Sequence, residues 1–390
     1  MDLITRGNNV IMETYKRFPL VFDKGQGCVL TDINGKEYLD FMGGIAVNAL
    51  GYAHPGLMDA MKTQMEKLVH VSNLYWTEPG IELAELLTKE SGLDKVFFCN
   101  SGAEACEAAL KLCRIYGKLK KHQNAVEIIA MDQSFHGRTY GAISATGQKK
   151  YQANLEPLLP EIYHVPFNDI EALKAQINPN ICGIILEPIQ GEGGIHPADP
   201  EYLKAVRKIC DQENIVLIFD EVQTGIGRSG KLFAYQQYGV VPDVVTMAKG
   251  LGGGVPIGGI IAKNHVAEVF TPGTHAATFG GNPFVCATGK YVIETLTAPG
   301  FFESVAEKGA YLKSQLEALK KEHPSIKDVR GMGLMIGAEV DGDLGVIVAK
   351  AMDKGLLVIT AGSNAIRFVP PLIITKEQID QAVQIFSECL

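Results

Sequence analysis

Short segments that are apolar throughout recur along the middle of the chain, and they restrict its fold more than any other feature. The candidate strands, in which apolar and polar residues do not alternate, are Lys95–Cys99, Glu127–Met131, Gly183–Glu187, Val216–Asp220, Val244–Ala248 and Gly258–Ala262. Strands of this kind are buried on both faces, as they are in parallel sheets. The helical patterns between them are Ala103–Lys120, Glu171–Ala175 and Glu201–Gln212. This alternation predicts an α/β domain with a mainly parallel sheet.

The two ends of the chain follow a different pattern. An Asn34-Gly35 turn within residues 28–39 predicts a β-hairpin. Near the C-terminus, helical patterns around 302–320 and 376–388 accompany short strands. These segments predict a second, smaller α+β domain that is built from both ends of the chain.

The length of the chain also favours two domains, because 390 residues exceed the usual size of one small domain. We expect residues 1–58 to form the N-terminal part of the small domain and 59–275 to form the large domain. Residues 276–390 then complete the small domain from the C-terminal side.

Composition and charge exclude several classes of protein. The apolar fraction of 46% and the charged fraction of 21% are ordinary for a globular protein, and no apolar run is long enough to cross a bilayer. The net charge of −8 argues against a nucleic-acid partner. The N-terminus lacks the apolar core of a secretory signal. The eight cysteines form no C-x-x-C pair, so we expect a cytoplasmic protein without a metal.

Lys249 follows one of the candidate strands and precedes a cluster of glycines. The tip of a buried strand is an unfavourable place for a charge that only confers solubility. It suits an amine that forms a Schiff base, because desolvation and neighbouring charges lower the pKa of a lysine. On position alone, however, a lysine that reaches from a strand end to solvent is the commoner case.

Two further segments lie where strands end. Asp220 ends a candidate strand, and ligands in open α/β sheets bind beyond the carboxyl ends of the strands. An aspartate there can pair with a protonated ring nitrogen of a cofactor. Ser101 and Glu104 fit a capping box, and the small residues Gly102 and Ala103 leave the helix N-terminus open to a phosphate. Taken singly, each of these motifs occurs more often without a ligand than with one: many strands end in a carboxylate, and many helices are capped, where no cofactor binds.

Phe135 and Arg138 follow the strand candidate that ends at Met131. A phenylalanine at a strand tip is usually a core residue, although here its ring can stack on a planar ligand. Arg138 can bind a substrate carboxylate through its planar guanidinium group.

The segment Gly225-Ile226-Gly227-Arg228-Ser229-Gly230 matches the G-x-G-x-x-G pattern of dinucleotide-binding proteins. That pattern requires a helix directly after the strand, whereas residues 220–224 intervene here. A P-loop requires serine or threonine where this chain has Leu232. We therefore interpret the segment as an ordinary glycine-rich loop of an active site, and a nicotinamide-dependent oxidoreductase remains a rival hypothesis.

Residues 219–230 and 242–258 together resemble the signature of the class III pyridoxal-phosphate aminotransferases. The resemblance extends from about Tyr15 to Pro371. It implies the type I fold of pyridoxal-phosphate enzymes, which is that of aspartate aminotransferase. In this fold a large domain with a mainly parallel seven-stranded sheet is joined to a smaller α+β domain.

The resemblance assigns roles around the ring of pyridoxal 5′-phosphate. Lys249 corresponds to the Schiff-base lysine, and Asp220 corresponds to the partner of the pyridine nitrogen. Gln223 matches the residue near the phenolic oxygen, and Phe135 matches the residue that stacks on the ring.

The phosphate group of the cofactor has its own set of counterparts. Ser101, Gly102 and Ala103 match the residues that surround the phosphate. Thr278 resembles the residue that reaches the phosphate bound by the other subunit. The resemblance therefore implies a homodimer whose active sites are shared between subunits.

On the substrate side, Arg367 resembles the arginine that binds an α-carboxylate, and Glu192 resembles the glutamate that pairs with it. The pair implies a gate. Glu192 shields Arg367 while an ω-amino donor is bound and releases it when 2-oxoglutarate arrives. Arg138 and Tyr15 correspond to the residues that hold the far carboxylate of the donor.

Ile45 and Ala277 are the remaining candidate substrate residues. Ile45 stands where ornithine aminotransferases carry a tyrosine, which weakens an assignment to ornithine. The favoured reaction is transfer of the δ-amino group of N2-acetyl-L-ornithine to 2-oxoglutarate, a step of arginine biosynthesis. The alternatives are ornithine, succinylornithine, succinyldiaminopimelate or 4-aminobutyrate as the donor, a related aminomutase, and a non-catalytic protein that keeps only the fold.

Overall fold

The computed structural model describes residues 2–390, which fold into alternating strands and helices. The strands are β1 Phe22–Gln26, β2 Val29–Asp32, β3 Glu37–Asp40, β4 Lys95–Cys99, β5 Glu127–Met131, β6 Ile162–Val165, β7 Ile181–Leu186, β8 Ile189–Gln190, β9 His196–Pro197, β10 Val216–Asp220, β11 Val244–Met247, β12 Gly258–Ala262, β13 Ile326–Met332, β14 Met335–Val340, β15 Leu356–Leu357, β16 Ile359–Ala361 and β17 Ala365–Phe368.

The helices vary from single turns to 22 residues. They are α1 Leu3–Val10, α2 Gly43–Ala46, α3 Pro55–Lys67, α4 Glu78–Ser91, α5 Gly102–Lys120, α6 Tyr140–Ala145, α7 Lys149–Gln152, α8 Ile170–Gln176, α9 Pro200–Glu213, α10 Tyr235–Tyr238, α11 Asn264–Ala267, α12 Pro283–Leu296, α13 Phe301–Glu322, α14 Leu344–Asp353 and α15 Lys376–Ser387. One 3₁₀ helix spans Lys249–Gly252. No helix within residues 2–390 is long and apolar enough to cross a membrane.

The central sheet has seven strands in the order β4-β12-β11-β10-β7-β5-β6. β12 pairs antiparallel with both of its neighbours, and the other pairs are parallel. The predicted α/β architecture with a mainly parallel seven-stranded sheet is therefore confirmed. Its central strands are buried at every position, which explains their uninterrupted apolar sequences.

One strand of this sheet is absent from the sequence-based prediction. β6 lies at the sheet edge and pairs only with β5, in the register Ile128↔Ile162 to Met131↔Val165. Its sequence, Ile162-Tyr163-His164-Val165, has two polar residues at its centre, and Tyr163 is exposed at this edge. The strand therefore lacks the uninterrupted apolar run that marks the other strands of this sheet.

Two smaller sheets contain the strands from the chain ends. The predicted hairpin forms between β2 and β3, and β15 from the C-terminal part pairs with β3 in parallel, with Leu356 opposite Leu39. The second sheet has the order β13-β14-β17-β16. The two ends of the chain thus share a sheet, while the division near residues 58 and 275 stays a prediction.

Helix α5 covers one face of the central sheet with small residues. Its buried side includes Ala105, Cys106, Ala109 and Cys113, which bring the helix close to the strands. All eight cysteines are buried thiols without a disulfide. The close packing holds the N-terminus of α5 at the edge where the parallel strands end.

Candidate active site

The carboxyl ends of the parallel strands open into a cavity of about 450 Å³. That volume is typical of small-molecule and cofactor sites. The residues that line it are Val47, Asn100, Ser101, Gly102, Ala103, Phe135, His136, Gly137, Arg138, Glu187, Asp220, Val222, Gln223, Ala248, Lys249, Gly254, Val255, Pro256 and Ile257. Eight of the fourteen predicted site residues therefore meet around one space, although they come from distant parts of the sequence: Ser101, Gly102, Ala103, Phe135, Arg138, Asp220, Gln223 and Lys249.

Lys249 lies at the floor of this cavity, directly after β11 and Ala248. Its backbone is left-handed, with φ +45°, a strained conformation for a residue with a side chain. Burial lowers the pKa of its amine, nearby Glu192 opposes that effect and Arg367 adds to it. The amine donates no hydrogen bond within residues 2–390. The amine therefore lies in the cavity with a lowered pKa and without a hydrogen-bond partner within residues 2–390.

Asp220, at the end of β10, is buried and hydrogen-bonded on both oxygens. Oδ1 accepts from Thr246 Oγ1 at 2.9 Å and from the Val222 N–H at 3.0 Å. Oδ2 lies 2.7 Å from His136 Nδ1 and accepts from Cys106 Sγ at 3.3 Å. Burial alone favours the neutral acid, but the bond and charge of His136 lower the pKa of Asp220 overall. The carboxylate thus stays charged although it is buried.

His136 was not among the predicted site residues. Its ring is buried, and Nε2 has no hydrogen-bond partner within residues 2–390. Burial opposes protonation of the ring, yet the contact with Asp220 raises the pKa of His136. The only signal in the sequence was its position directly after Phe135, behind a strand end, because its partner Asp220 lies 84 residues away.

Glu187 is the second residue that the sequence-based prediction missed. It follows β7, lines the cavity and accepts from the N–H groups of Phe135 at 3.0 Å and Gly191 at 3.1 Å. Burial raises the pKa of Glu187 to about 7, and the neighbouring His136 opposes this effect. The carboxyl group connects the loop of Phe135 with the loop that leads to Glu192.

The N-terminus of α5 points into the cavity and is capped by Ser101, whose Oγ accepts from the Glu104 N–H at 3.2 Å. Only this half of the predicted capping box forms. The Glu104 carboxylate reaches one residue further back and accepts from the Asn100 N–H at 2.8 Å. The first turn keeps unpaired N–H groups, which can bind an anion.

Gly102 keeps this helix end close to the opposite wall. A Cβ atom at Gly102 would lie 2.6 Å from Val222 Cγ1, which is too close for any side chain. The backbone N–H groups of the first turn are therefore exposed to the cavity without a side chain in front of them.

Arg367, on β17, is almost completely buried and forms a close ion pair near the cavity. Its Nη1 donates to Glu192 Oε1 at 2.5 Å and to Gln223 Oε1 at 2.9 Å. Its Nε is buried without a partner within residues 2–390. Burial raises the pKa of Glu192, but Arg367 more than offsets this and lowers the pKa overall. The arginine thus has hydrogen-bonding capacity left for a further acceptor.

Arg138 and Phe135 lie at the exposed side of the cavity. The guanidinium carbon of Arg138 is 4.0 Å from the centre of the Tyr151 ring and 5.7 Å from that of Phe135. Such cation–π contacts hold an exposed arginine in one region. Ile45 belongs to a left-handed turn, with φ +64°, beside Val47, which lines the cavity.

Six predicted site residues lie outside the lining of this cavity: Tyr15, Ile45, Glu192, Ala277, Thr278 and Arg367. Tyr15 is 72% exposed, and its ring contacts Arg17. Ala277 and Thr278 belong to a surface segment whose backbone is held by Asn73, since Asn73 Nδ2 donates to Ala277 O at 3.0 Å. Their predicted roles stay predictions.

The ligand atoms of Cys106, His136 and Asp220 lie within 4.8 Å of one another, a spacing that a metal ion could use. Burial raises the pKa of the Cys106 thiol well above its ordinary value, and the charge of Asp220 raises it further. A protonated thiol is a poor ligand. The three groups are better described as a hydrogen-bonded network around Asp220.

The donor set fits a phosphorylated pyridine aldehyde. A charged, buried carboxylate can accept from a ring N–H, and an open helix end can bind a phosphate. The Lys249 amine, with its lowered pKa and no bonded partner within residues 2–390, can bond to an aldehyde carbon.

Comparison with known proteins agrees with this geometry. The family model described as aminotransferase class III matches residues 10–390. An acetylornithine aminotransferase from Caldanaerobacter subterraneus subsp. tengcongensis is 54% identical over 389 residues, which are 100% of this chain and 99% of that protein.

Solved structures agree over the same length. An ornithine aminotransferase from Toxoplasma gondii, described with pyridoxal phosphate at partial occupancy in its active site, has a TM-score of 0.94 and 32% identity, covering 99% of this chain and 93% of that one. An N-acetylornithine aminotransferase from Stenotrophomonas maltophilia has a TM-score of 0.86 and 35% identity, covering 99% and 98%. The chain therefore belongs to the class III aminotransferases, which are enzymes that use pyridoxal phosphate.

Proposed function

We propose that this enzyme transfers the δ-amino group of N2-acetyl-L-ornithine to 2-oxoglutarate. The products are N-acetyl-L-glutamate 5-semialdehyde and L-glutamate, which assigns the enzyme to arginine biosynthesis. The observation that carries the choice of donor is the 54% identity, over the whole chain, to an acetylornithine aminotransferase. Ile45 supports the choice, since ornithine aminotransferases carry a tyrosine at the matching position.

Pyridoxal phosphate, when bound, acts as a sink for the electrons of the bond that is broken at the donor carbon. In the proposed arrangement the charged Asp220 carboxylate would hold the ring nitrogen protonated, and His136, 2.7 Å from Oδ2, keeps that carboxylate in place. Gln223 would lie near the phenolic oxygen of the cofactor. The N-terminus of α5, at Ser101 to Ala103, would hold the phosphate, and Phe135 would pack against the ring.

Lys249 both attaches the cofactor and moves the proton in this proposal. With the cofactor and donor bound, its Nζ would take a proton from the δ-carbon of the donor. A neutral amine is required for this step, and burial favours the neutral form by lowering the pKa of Lys249. The absence of a bonded carboxylate leaves the amine free to move.

Arg367 and Glu192 discriminate between the two substrates. When the donor is bound, the Glu192 carboxylate, 2.5 Å from Arg367 Nη1, neutralises the arginine. When 2-oxoglutarate is bound, its α-carboxylate replaces Glu192 at Arg367, whose unpartnered Nε supplies a further donor. Arg138 and Tyr15 hold the distal carboxylate, and Ala277 contributes to the wall of the substrate site.

We also propose a homodimer in which Thr278 reaches the phosphate bound by the partner subunit. Leu74, Tyr75, Trp76 and Phe279, which we call the aromatic patch, are between 60% and 91% exposed. A cavity of about 580 Å³ lies beside it, between residues 70–77 and 275–283. Large exposed aromatic residues in one area are typical of a protein interface. The thiols of the eight cysteines are consistent with a cytoplasmic location.

Steady-state turnover with a panel of donors tests the assignment. The panel contains N2-acetylornithine, ornithine, succinylornithine, succinyldiaminopimelate and 4-aminobutyrate, each with 2-oxoglutarate and saturating pyridoxal phosphate. We expect kcat/KM for acetylornithine to exceed that for ornithine by at least about tenfold, the scale of one well-recognised group. A higher kcat/KM for any other donor would overturn the choice of acetylornithine but not the family assignment.

A further inference from the structure

The glycine-rich segment from Gly225 to Gly230 forms a tight loop, and the side chain of Arg228 within it is buried. Arg228 is 2% exposed and is among the largest fully buried side chains of the protein. The Arg228 N–H donates to Gly225 O at 3.3 Å, and Gly230 N donates to Gly227 O at 3.0 Å. Gly227 and Gly230 adopt φ of +84° and +89°, which favours glycine at both positions. The loop thus places an arginine in the interior.

The guanidinium group of Arg228 joins three separate backbone segments. Its Nη1 donates to the carbonyls of Leu334, at 3.0 Å, and of Pro370. The Leu334 N–H returns a bond to the Arg228 carbonyl at 3.0 Å. A Cβ atom at Gly333 would lie 2.5 Å from that carbonyl oxygen, so the two backbones are in direct contact. Arg228 therefore ties its own loop to the β13–β14 turn and to the chain after β17.

The segments joined by Arg228 carry Gln223 and Arg367, and Arg367 is the residue proposed to bind the substrate α-carboxylate. Gln223 lies five residues before Arg228, and Arg367 lies three residues before Pro370. The side chains of Gln223 and Arg367 meet at 2.9 Å. The contact between Gln223 and Arg367 thus depends on the spacing of two backbones that Arg228 connects.

Hydrogen bonds from a charged donor are stronger than neutral ones, and those of Arg228 are shielded from water. Burial lowers the pKa of Arg228 to about 9, although the charge of Asp40 opposes this effect. The group therefore remains charged at neutral pH. Loss of the side chain would leave two buried carbonyls with one partner fewer, and the chain after β17 would shift.

We propose that Arg228 is a positioning residue for Arg367. It holds the backbone after β17 against the Gln223 loop, so that the Arg367 guanidinium is aligned to bind the α-carboxylate of 2-oxoglutarate or glutamate. The inference rests on the proposed role of Arg367 in carboxylate binding. It gives the glycine-rich loop a task in substrate recognition instead of dinucleotide binding.

The test compares Arg228→Met, Arg228→Lys and Gly333→Ala with the wild-type holoenzyme. Gly333→Ala displaces the same contact without changing Arg228, so the test remains valid where Arg228→Met folds poorly. We expect KM for 2-oxoglutarate to rise about tenfold or more in Arg228→Met and Gly333→Ala, because small displacements of a substrate clamp have large effects. KM for the amino donor should stay within roughly twofold. Arg228→Lys should recover part of the loss.

Equilibrium binding of glutarate, an unreactive dicarboxylate, provides a readout that does not require turnover. The same variants should bind it about tenfold more weakly, measured by calorimetry. Arg207→Met is the matched control, because Arg207 pairs with Asp243 at 2.8 Å at the opposite end of the sheet and should lose only stability. Wild-type glutarate affinity in Arg228→Met and Gly333→Ala, with weakened affinity in Arg367→Met, would overturn the inference. Wild-type affinity in Arg367→Met would refute the proposed role of Arg367 and the inference together.

Discussion

The chemistry of the site depends on single buried charges and on whether each has a partner. Asp220 has four hydrogen-bond donors around it, and its pKa is lowered although it is buried. The Lys249 amine has no hydrogen-bond partner within residues 2–390, and the pKa of Lys249 is lowered as well. For an acid this shift favours the charged form, and for an amine it favours the neutral form. Both groups are thereby held in the states that the proposed proton transfer requires.

The free energy of unfolding depends on pH through the buried carboxyl group of Glu187. The pKa of Glu187 is about 7 in the folded protein, against an ordinary value of 4.5. Below pH 4.5 both states keep the proton. Between about pH 4.5 and 7 the unfolded chain releases it while the folded protein retains it, so the free energy of unfolding falls as pH rises. We expect Glu187→Gln, which cannot ionise, to gain in thermal stability relative to wild type from pH 5 to pH 8.

Differential scanning fluorimetry of the cofactor-free protein measures this effect. The Tm of Glu187→Gln minus the Tm of wild type should increase by roughly 2 °C or more between pH 5 and pH 8. Glu85→Gln on the exposed face of α4 is the control and should show no such trend. A difference that is constant with pH would contradict the raised pKa of Glu187.

Some residues of the site could be identified from the sequence, and others could not. Lys249 and Asp220 stand at the ends of recognisable strands within a long signature, so they could be selected. His136 and Glu187 act through partners 84 and 52 residues away, and neither lies in the two quoted signature segments. Their contacts form only when the sheet brings the strand ends together. The sequence alone therefore could not identify them as site residues.

At the scale of elements, the site is the meeting point of strand ends with the start of one helix. The strands were predictable because burial on both faces demands consecutive apolar residues. The edge strand β6 was not, because one exposed side allows polar residues. The cap of α5 was predictable from Ser101, but the reach of the Glu104 carboxylate to Asn100 depends on local geometry.

Gly102→Ala tests whether the start of α5 is the phosphate site. The added methyl group would lie 2.6 Å from Val222 Cγ1 and should push the helix end away from the cavity. We expect the dissociation constant of pyridoxal phosphate to rise about tenfold, equivalent to one lost charged hydrogen bond. Titration of the apoenzyme, followed by cofactor absorbance and intrinsic fluorescence, measures it.

Gly92→Ala is the matched control for this helix test. Gly92 ends α4 with φ +71° and has open space around it, so the change adds backbone strain without a clash. It should cost about 1 kcal/mol of stability and leave cofactor affinity unchanged. An unchanged dissociation constant in Gly102→Ala would argue against phosphate binding at α5.

At the scale of the whole molecule, the aromatic patch and the Thr278 segment lie on one surface that a single chain leaves exposed. Asn73 connects them, because its Nδ2 donates to Ala277 O at 3.0 Å and to Gly280 O at 2.8 Å. A partner subunit on this surface would cover Trp76 and bring Thr278 to its own site. The proposed dimer would therefore complete the cofactor site as well as bury apolar area.

Trp76→Glu tests this arrangement, since it places a charge in the centre of the aromatic patch, where Trp76 is 91% exposed. We expect a shift from dimer to monomer at micromolar concentration in sedimentation equilibrium, because an unpaired buried charge strongly destabilises an interface. Val346→Glu on α14, where Val346 is 49% exposed, is the control and should leave the assembly unchanged. A wild-type dimer in Trp76→Glu would exclude this surface as the interface.

The sequence by itself determined the class of fold and the family, because both depend on local features. Uninterrupted apolar runs report burial on two faces, and the residues around Asp220 and Lys249 form a contiguous signature. Only the tertiary structure decided which charges meet. Arg228 joins Leu334 and Pro370 across 106 and 142 residues, and Arg367 meets Glu192 across 175. Contacts over such separations are set by sheet order and loop packing, so no local pattern specifies them.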